Sequence, residues 1–508
     1  MVFELIPGQL SLKDIRELLA SKTKIKLTLA AYEQIDKSYR VVQQAVNQDK
    51  SVYGINTGFG MLANKKIAKD DLCELQRRIV LSHAAGVGAP LGDETVKLIM
   101  LLKINSLARG YSGVSISLVD HLIALYNAEI YPIIPEQGSV GASGDLAPLA
   151  HMSMTLIGEG YARVQGERIC SSEALKSANI SQIILGEKEG LALLNGTQVS
   201  TAIAIIGLIK TQRNFTIATI AGALTIEAAS ASLKPFDPFI AASKNNQGQI
   251  IFSALIKELL DDSEIQRAHQ PCSRVQDPYS IRCQPQVMGA IWCYLNDSQM
   301  HLINEANAVS DNPLICPETG QIISGGNFHA EITAFSADLL AIIGAEIGAI
   351  SERRIALLLD QHLSGLPPFL VENSGLNSGF MLAHVTASAL ASENKTYAHP
   401  ASVDSLPTSA NQEDHVSMAT FAAVKLNKVA DNVLYILVIE TLAACQGIDF
   451  RSPLKTSKTM QDYFDALRVN VQFYDEDRYF GHDINEAHKA INQPAYYAAL
   501  YEKLFHAL

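Results

Sequence analysis

The sequence predicts a mainly α-helical fold in which long helices pack into a central bundle. Charged residues make up only 18% of the 508 residues, whereas hydrophobic residues make up 48%. Long stretches rich in alanine and isoleucine dominate the chain from about residue 190, and several are apolar on most faces, as is typical of buried helices. These stretches are 197–233, 248–262, 285–308, 328–360, 376–395 and 414–445. A central bundle shared between subunits would explain why so little of the chain is charged.

The first part of the chain has shorter elements, and we therefore predict two domains, 1–195 and 196–508. Ser11 and Asp14 have the spacing of a capping box, which predicts the start of a helix. Further helical patterns lie at 29–48, 69–86 and 93–108. A few short strands are expected in the N-terminal domain, within 160–170. The C-terminal domain is expected to consist of the long-helix bundle.

Composition argues against several function classes. A net charge of −12, without a run of lysine or arginine, argues against a nucleic acid or an anionic membrane as partner. The seven cysteines are scattered and form no Cys-x-x-Cys pair, which argues against a disulfide framework or a zinc knuckle. No uninterrupted apolar stretch of about twenty residues is present, and the N-terminus lacks the pattern of a signal peptide. We therefore expect a cytoplasmic protein.

One glycine-rich string has unusual chemical potential. Residues 138–150 read Gly-Ser-Val-Gly-Ala-Ser-Gly-Asp-Leu-Ala-Pro-Leu-Ala. Ala142-Ser143-Gly144 could cyclise by attack of the Gly144 amide nitrogen on the Ala142 carbonyl carbon, and the strained backbone costs least at a residue without a Cβ. Loss of the ring hydroxyl and the Ser143 hydroxyl as water would leave an exocyclic methylene, an electrophile that no ordinary side chain supplies. Without that chemistry, such a run is typical of a tight loop.

The string at 138–150 resembles the signature of the aromatic amino acid ammonia-lyases. The resemblance implies that Ala142, Ser143 and Gly144 form a 4-methylideneimidazol-5-one (MIO) group, with no external cofactor and no metal. It also implies a homotetramer whose active sites combine loops from several subunits. The expected partner is a small amino acid substrate, with neither nucleic acid nor membrane involved.

Two further strings are similar to motifs of the same family. Tyr53 lies in Ser-Val-Tyr-Gly-Ile-Asn-Thr-Gly-Phe-Gly at 51–60, and the resemblance implies that it removes the β-proton of the substrate. A phenol serves as a base only when its pKa is lowered, which an electropositive site can do. Asn195, in Leu-Asn-Gly-Thr, is implied to form hydrogen bonds near the electrophile and the substrate carboxylate. By themselves, both strings are typical of loops and turns.

The segment 276–286 reads Gln-Asp-Pro-Tyr-Ser-Ile-Arg-Cys-Gln-Pro-Gln and continues the resemblance. Arg282 is implied to hold the substrate carboxylate, since a guanidinium group binds a carboxylate through two parallel hydrogen bonds. Tyr279 is implied to stabilise the electrophile and assist proton movement, and Gln276 to contact the substrate. A lone arginine would more often form a surface salt bridge.

Two later segments and one earlier pair concern the substrate ring. Phe328, in Gly-Gly-Asn-Phe-His, is implied to pack against the ring or the MIO group, and Glu413, in Gln-Glu-Asp-His, to lie near the amine or ring as an alternative acid or base. Ser82-His83 resembles the ring-recognition pair of histidine-specific members, whereas tyrosine lyases tend to have His-Leu and phenylalanine lyases Phe-Leu. Two imidazoles can share one donor and one acceptor. We therefore expect elimination of ammonia from L-histidine to give trans-urocanate, the first step of histidine degradation.

Three alternatives remain open at this point. One is a tyrosine or phenylalanine ammonia-lyase, or an aminomutase, of the same family, against which Ser82-His83 argues. Another is a helical scaffold with an inactive site, which predicts that residues 142–144 keep both waters. A serine hydrolase is the third, but Gly141-Ala-Ser143-Gly144 does not match Gly-x-Ser-x-Gly, and no histidine and aspartate partners are identifiable.

Overall fold

The computed structural model describes residues 2–48, 52, 54–57, 67–269 and 274–505. Its contacts divide the chain into two compact units, each drawn from three separate segments. The first unit comprises Met1–Ile206, Gln299–Asp338 and Pro400–Val424, and the second comprises Gly207–Ser298, Leu339–His399 and Lys425–Leu508. The predicted domains 1–195 and 196–508 stay a prediction, since the compact units interleave along the chain.

Short strands form four small sheets within the first unit. The strands are β1 (Val2–Leu5), β2 (Lys24–Leu27), β3 (Val87–Pro90), β4 (Tyr131–Pro132), β5 (Pro135–Gln137), β6 (Tyr161–Val164), β7 (Glu167–Cys170), β8 (Leu314–Cys316) and β9 (Gln321–Ile323). β1 and β2 pair in parallel, whereas β3–β5, β4–β6–β7 and β8–β9 are antiparallel. The strands predicted within 160–170 are confirmed as β6 and β7.

Helices make up most of both units. They are α1 (Leu12–Ala20), α2 (Leu29–Asn47), α3 (Leu72–His83), α4 (Asp93–Leu107), α5 (Ile116–Asn127), α6 (Leu146–Met154), α7 (Ser171–Ser177), α8 (Glu189–Leu194), α9 (Gln198–Ala228), α10 (Pro238–Lys244), α11 (Gln247–Leu259), α12 (Glu264–Ala268), α13 (Tyr279–Arg282), α14 (Gln284–Ala306), α15 (Glu331–Leu359), α16 (Gln361–Ser364), α17 (Met381–Tyr397), α18 (Ala419–Asp449), α19 (Lys458–Arg468), α20 (Phe480–Ile491) and α21 (Pro494–Phe505). The predicted mainly helical fold with few short strands is confirmed.

Local sequence signals explain several helix boundaries. The capping box of α1 is present: Asp14 N–H donates to Ser11 Oγ over 3.1 Å, and Ser11 N–H donates to Asp14 Oδ2 over 2.9 Å. The helix predicted from residue 376 begins only at Met381, because Gly379 has φ +57° and the Phe380 N–H donates to the Phe369 carbonyl. Because the Phe380 N–H is used by this turn, the hydrogen-bonded helix α17 starts only after it.

The six alanine- and isoleucine-rich stretches correspond to α9, α11, α14, α15, α17 and α18. By length and composition, α15 and α18 are long and apolar enough to span a membrane, whereas the sequence patterns predict no such stretch. Of their most apolar windows, 61% in α15 and 83% in α18 is buried in the fold. Burial of this extent is typical of the core helices of a bundle.

A buried ion pair links three long helices inside the second unit. Glu440 on α18 accepts from Arg354 on α15, whose Nη2 lies 2.8 Å away, and from Thr225 Oγ1 on α9 at 2.9 Å. Arg354 and Glu440 are both fully buried. Because an isolated charge at this depth would be strongly unfavourable, each residue depends on the other for its place in the core.

Candidate active site

The loop that contains Ala142-Ser143-Gly144 is pressed against the segment at residue 196. Gly144 has φ +73°, and a Cβ at this position would lie only 2.2 Å from the Gly196 carbonyl oxygen. The next residue, Asp145, donates its N–H to the same oxygen over 2.8 Å. Only glycine satisfies both the backbone angle and the close approach, so the predicted site of cyclisation coincides with a true steric requirement.

The carboxylate of Asp145 anchors this loop from within the core. Asp145 is fully buried. Its Oδ1 accepts from Ser139 Oγ at 2.9 Å and Thr420 Oγ1 at 2.7 Å. Its Oδ2 accepts from the N–H of Ser200 at 2.8 Å and from the Ser200 hydroxyl at 2.9 Å. Four hydrogen bonds offset the cost of burying the charge and connect the loop to the starts of α9 and α18.

The segment before α18 is attached to the other side of the loop. Gly141 has φ +68°, and a Cβ there would lie 2.2 Å from Ser417 Oγ, whose hydroxyl donates to the Gly141 carbonyl over 3.2 Å. The Met418 N–H donates to the Val140 carbonyl over 2.9 Å. The sequence predicts that this helix starts at residue 414, but these contacts explain why α18 begins only at Ala419. They also bring Glu413 to the loop.

Glu413 contacts Ser143 directly. Its Oε1 accepts from Ser143 Oγ at 2.7 Å, and its Oε2 accepts from Thr408 Oγ1 at 2.8 Å and from Ser409 Oγ at 2.9 Å. Burial raises the pKa of this carboxyl group more than any other single influence, but the three hydrogen bonds and the nearby His83 together lower the pKa below its ordinary value. Glu413 is therefore ionised at neutral pH.

His83 is the last residue of α3, and its Nδ1 lies 3.1 Å from the Ser82 hydroxyl. Burial lowers its pKa, and this effect exceeds the opposing ones of a hydrogen bond with the Ile79 backbone and the charge of Glu413. The His83 imidazole is consequently neutral at pH 7, with one nitrogen that donates and one that accepts. The structure thus places Glu413 in contact with Ser143 and close enough to His83 to influence its charge, and the roles of these residues stay predictions.

Asn195 lies at the C-terminal end of α8, directly before Gly196. Its Nδ2 donates to the Asn312 carbonyl over 3.1 Å, whereas its Oδ1 is buried without a hydrogen-bond partner among the described residues. A buried polar atom left unpaired is costly, and a bound substrate or a rearranged loop would satisfy it. The role of Asn195 in binding stays a prediction.

Phe328 is half-buried before α15, next to a group of possible metal ligands. The side chains of His329, Glu331 and His415 place ligand atoms within 4.8 Å of one another. The two imidazole rings are stacked, with centroids 5.8 Å apart and planes inclined by 6°. Since parallel rings do not converge on one point, these side chains would have to rotate before they could hold an ion.

The other predicted residues lie elsewhere. Gln276, Tyr279 and Arg282 belong to the second unit, and Tyr53 lies outside the described residues. The Arg282 guanidinium carbon lies 4.4 Å from the centroid of the Tyr279 ring, and the ring is 68% exposed. Arg282 Nε is buried and has no hydrogen-bond partner among the described residues. The pair therefore combines a cation, an exposed phenol and an unused donor.

Two residues near this loop, Asp145 and Lys103, have no role predicted from the sequence. Asp145 stood in the glycine-rich string, and a carboxylate among small residues is the signal that could have identified it as an anchor. Lys103 interrupts the apolar run Leu-Ile-Met-Leu-Leu-Lys-Ile of α4, and a charged residue in a helix that is buried all round is the corresponding signal.

Comparisons with known proteins agree with this geometry. The family model for aromatic amino acid lyases matches residues 10–469. The chain is 58% identical over 482 residues to the histidine ammonia-lyase of Vibrio cholerae, which covers 95% of this chain and 94% of the relative. It is 55% identical over 493 residues to that of Desulfotalea psychrophila, which covers 97% and 96%.

Solved structures give the same result. The crystal structure of histidine ammonia-lyase from Trypanosoma cruzi is similar with a TM-score of 0.91 and 38% identity, covering 100% of this chain and 95% of that one. The phenylalanine aminomutase of Pantoea agglomerans is similar with a TM-score of 0.92 and 32% identity, covering 97% and 99%. The fold is therefore shared by proteins named for different substrates, so the fold alone does not identify the substrate.

The anchoring role of Asp145 is testable by Asp145→Asn. The amide places N–H groups where donors now point at the carboxylate, and each lost hydrogen bond to a buried charge costs about 1.5–3 kcal/mol. We expect faster amide hydrogen exchange in peptides that cover 138–145 and 196–201. Asp338→Asn is the matched control, since buried Asp338 accepts from the N–H groups of Ala401 and Ser402. Equal exchange at 138–145 in both variants would contradict the role.

Proposed function

Because the chain belongs to the aromatic amino acid lyase family, we propose that it is a carbon–nitrogen lyase that eliminates ammonia from L-histidine to give trans-urocanate. Relatives at 55–58% identity over nearly the whole chain bear the name histidine ammonia-lyase. The observation that carries the proposal is the placement of a neutral His83 imidazole within the field of an ionised Glu413, which itself contacts Ser143. This arrangement suits a substrate with an imidazole ring.

The residues at 142–144 fit an MIO group made from the chain itself. Gly144 has the left-handed backbone and the close packing on Gly196 that favour glycine, and the Ser143 hydroxyl is held by Glu413 rather than by the loop. When formed, the group supplies an electrophile that activates the substrate amine or ring for departure of ammonia. No external cofactor is needed for this chemistry.

The remaining roles follow from the charges and donors of the side chains. Neutral His83, with Ser82 beside it, can pair with the substrate imidazole through one donor and one acceptor. Arg282 holds the carboxylate, with Tyr279 and Gln276 close by in sequence and Asn195 near the loop. Tyr53 removes the β-proton, and ionised Glu413 is the alternative base.

Phe328 packs against the substrate ring in this proposal. We also propose a cytoplasmic homotetramer whose active sites combine loops from several subunits. The exposed Tyr279 ring supports this assembly, because an active-site phenol needs surrounding protein to exclude water.

The proposal is tested by incubating the purified protein with L-histidine, L-tyrosine or L-phenylalanine and measuring ammonia and the unsaturated acid. We expect urocanate and ammonia from histidine only. Release from tyrosine or phenylalanine, or formation of a β-amino acid, would support the lyase or aminomutase alternatives instead. No product from any of the three would contradict a catalytic role.

The role of His83 in recognition is tested by His83→Phe. Removal of this half-buried hydrogen-bond partner should lower kcat/KM for histidine by about 10- to 100-fold, because leaving a polar group of the bound ring unpaired costs about 1–3 kcal/mol. His121→Phe is a suitable control, since His121 is a helical histidine of α5 that bonds the Ser117 carbonyl. An unchanged preference for histidine in His83→Phe would contradict the assignment.

The same variant has a second readout in the pH profile. Because burial lowers the pKa of His83, its imidazole stays neutral until the pH falls below its ordinary value of 6.5, and protonation then removes the acceptor. The pH profile of activity of the wild-type protein should therefore show one ionisation on the acid side that is absent from the profile of His83→Phe. The substrate titrates equally in both assays, so it does not contribute to the difference.

A further inference from the structure

Lys103 is a fully buried lysine in the middle of α4. The described side chains of this helix are buried from Val96 to Leu107, and Lys103 is only 1% exposed. Its Nζ donates to the Asn195 carbonyl over 2.6 Å and lies 3.3 Å from Gln198 Oε1. Burial of a charged amine at this depth costs several kcal/mol unless the amine forms hydrogen bonds or ion pairs. The role of Lys103 therefore depends on the groups that it contacts.

Charge pairing does not account for the position of Lys103. Within the described part of the chain, its ammonium group has no carboxylate at salt-bridge distance. Asp311 attracts the Lys103 amine, but Asp311 forms its ion pair with Lys188 at 2.6 Å, and the charge of Lys188 repels Lys103. Burial lowers the pKa of Lys103 to about 7, against the attraction of Asp311 and of Asp145. The strongest contact of Lys103 is therefore with a backbone carbonyl.

That carbonyl belongs to the segment that forms the floor of the reactive loop. Asn195 precedes Gly196, whose own carbonyl accepts the Asp145 N–H and whose backbone lies against Gly144. The Asn195 Oδ1 is buried and has no hydrogen-bond partner among the described residues. A shift of the Asn195 carbonyl would therefore move both this side-chain oxygen and the surface on which Gly144 rests.

We propose that Lys103 is a positioning residue for the elimination reaction, which holds the Asn195 side chain in its place through its bond to the Asn195 backbone carbonyl. The inference rests on the proposed function. Lys103 touches neither the substrate nor residues 142–144, and it acts through Asn195. Its contribution should consequently depend on the presence of the Asn195 side chain.

The same helix provides a matched control. Lys97 is only 6% exposed, and its Nζ donates to the carbonyls of Leu18 at 2.7 Å and Ser21 at 2.6 Å. Burial also lowers its pKa. Lys97 is thus a second buried lysine of α4 that donates to backbone carbonyls, but its partners precede α4 and are not part of the reactive loop.

The experiment compares Lys103→Met with Lys97→Met in the full-length protein, with histidine as substrate. Both variants lose a buried ammonium group and should lower the thermal midpoint to a similar extent. Lys103→Met should lower kcat/KM by about 10- to 100-fold, the effect of one charge-assisted hydrogen bond, whereas Lys97→Met should stay within about twofold of the wild type. Equal kcat/KM values in the two variants would overturn the proposal.

A double-mutant cycle distinguishes positioning from general destabilisation. In an Asn195→Ala background, Lys103→Met should change kcat/KM by less than about threefold, because the side chain through which it acts is gone. An undiminished effect would overturn the proposal. If methionine at 103 prevents folding, Lys103→Gln and Lys97→Gln give the same comparison with the same criterion. Wild-type protein without turnover of histidine would overturn the proposed function, and this inference with it.

Discussion

The buried carboxylate of Asp145 is the interaction on which the site depends. It accepts four hydrogen bonds from Ser139, Ser200 and Thr420, which lie in three separate parts of the chain. The backbone N–H of Asp145 is bound by the Gly196 carbonyl at the same time. Residues 142–144 are thus suspended between a fixed residue 145 and a fixed residue 141, and their backbone has little freedom. Restriction of this kind lowers the entropy cost of an internal cyclisation.

Glu413 and His83 differ in protonation state. Before residues 142–144 cyclise, Glu413 is ionised because three hydroxyl groups donate to it and His83 lies nearby, while His83 is neutral because burial opposes its protonation. Lys103, whose pKa burial lowers to about 7, donates to the Asn195 carbonyl without a carboxylate at salt-bridge distance among the described residues. A neutral group near an ionised one is typical of sites that move protons, since each group keeps the protonation state that its role requires.

The sequence allowed prediction of much of the fold but less of the site. Apolar periodicity located α9, α14 and α15 because a buried helix leaves its pattern in its own residues. The start of α18 at Ala419 was not predictable, since it depends on the bond from the Met418 N–H to the Val140 carbonyl. The partners of Asp145 and Lys103 are likewise distant in sequence, and no local pattern encodes them. Family resemblance supplied the expected roles of His83 and Glu413, and the structure added the contact of Glu413 with Ser143.

We propose that residues 142–144, held between Asp145 and Gly196, convert themselves into an electrophile. The most direct test is mass spectrometry of the proteolytic peptide that contains residues 142–144 from the purified wild-type protein, without any substrate. We expect a peptide lighter than the encoded sequence by two water molecules, with the loss confined to Ala142-Ser143-Gly144. A peptide of the encoded mass, in protein that is otherwise folded, would contradict it.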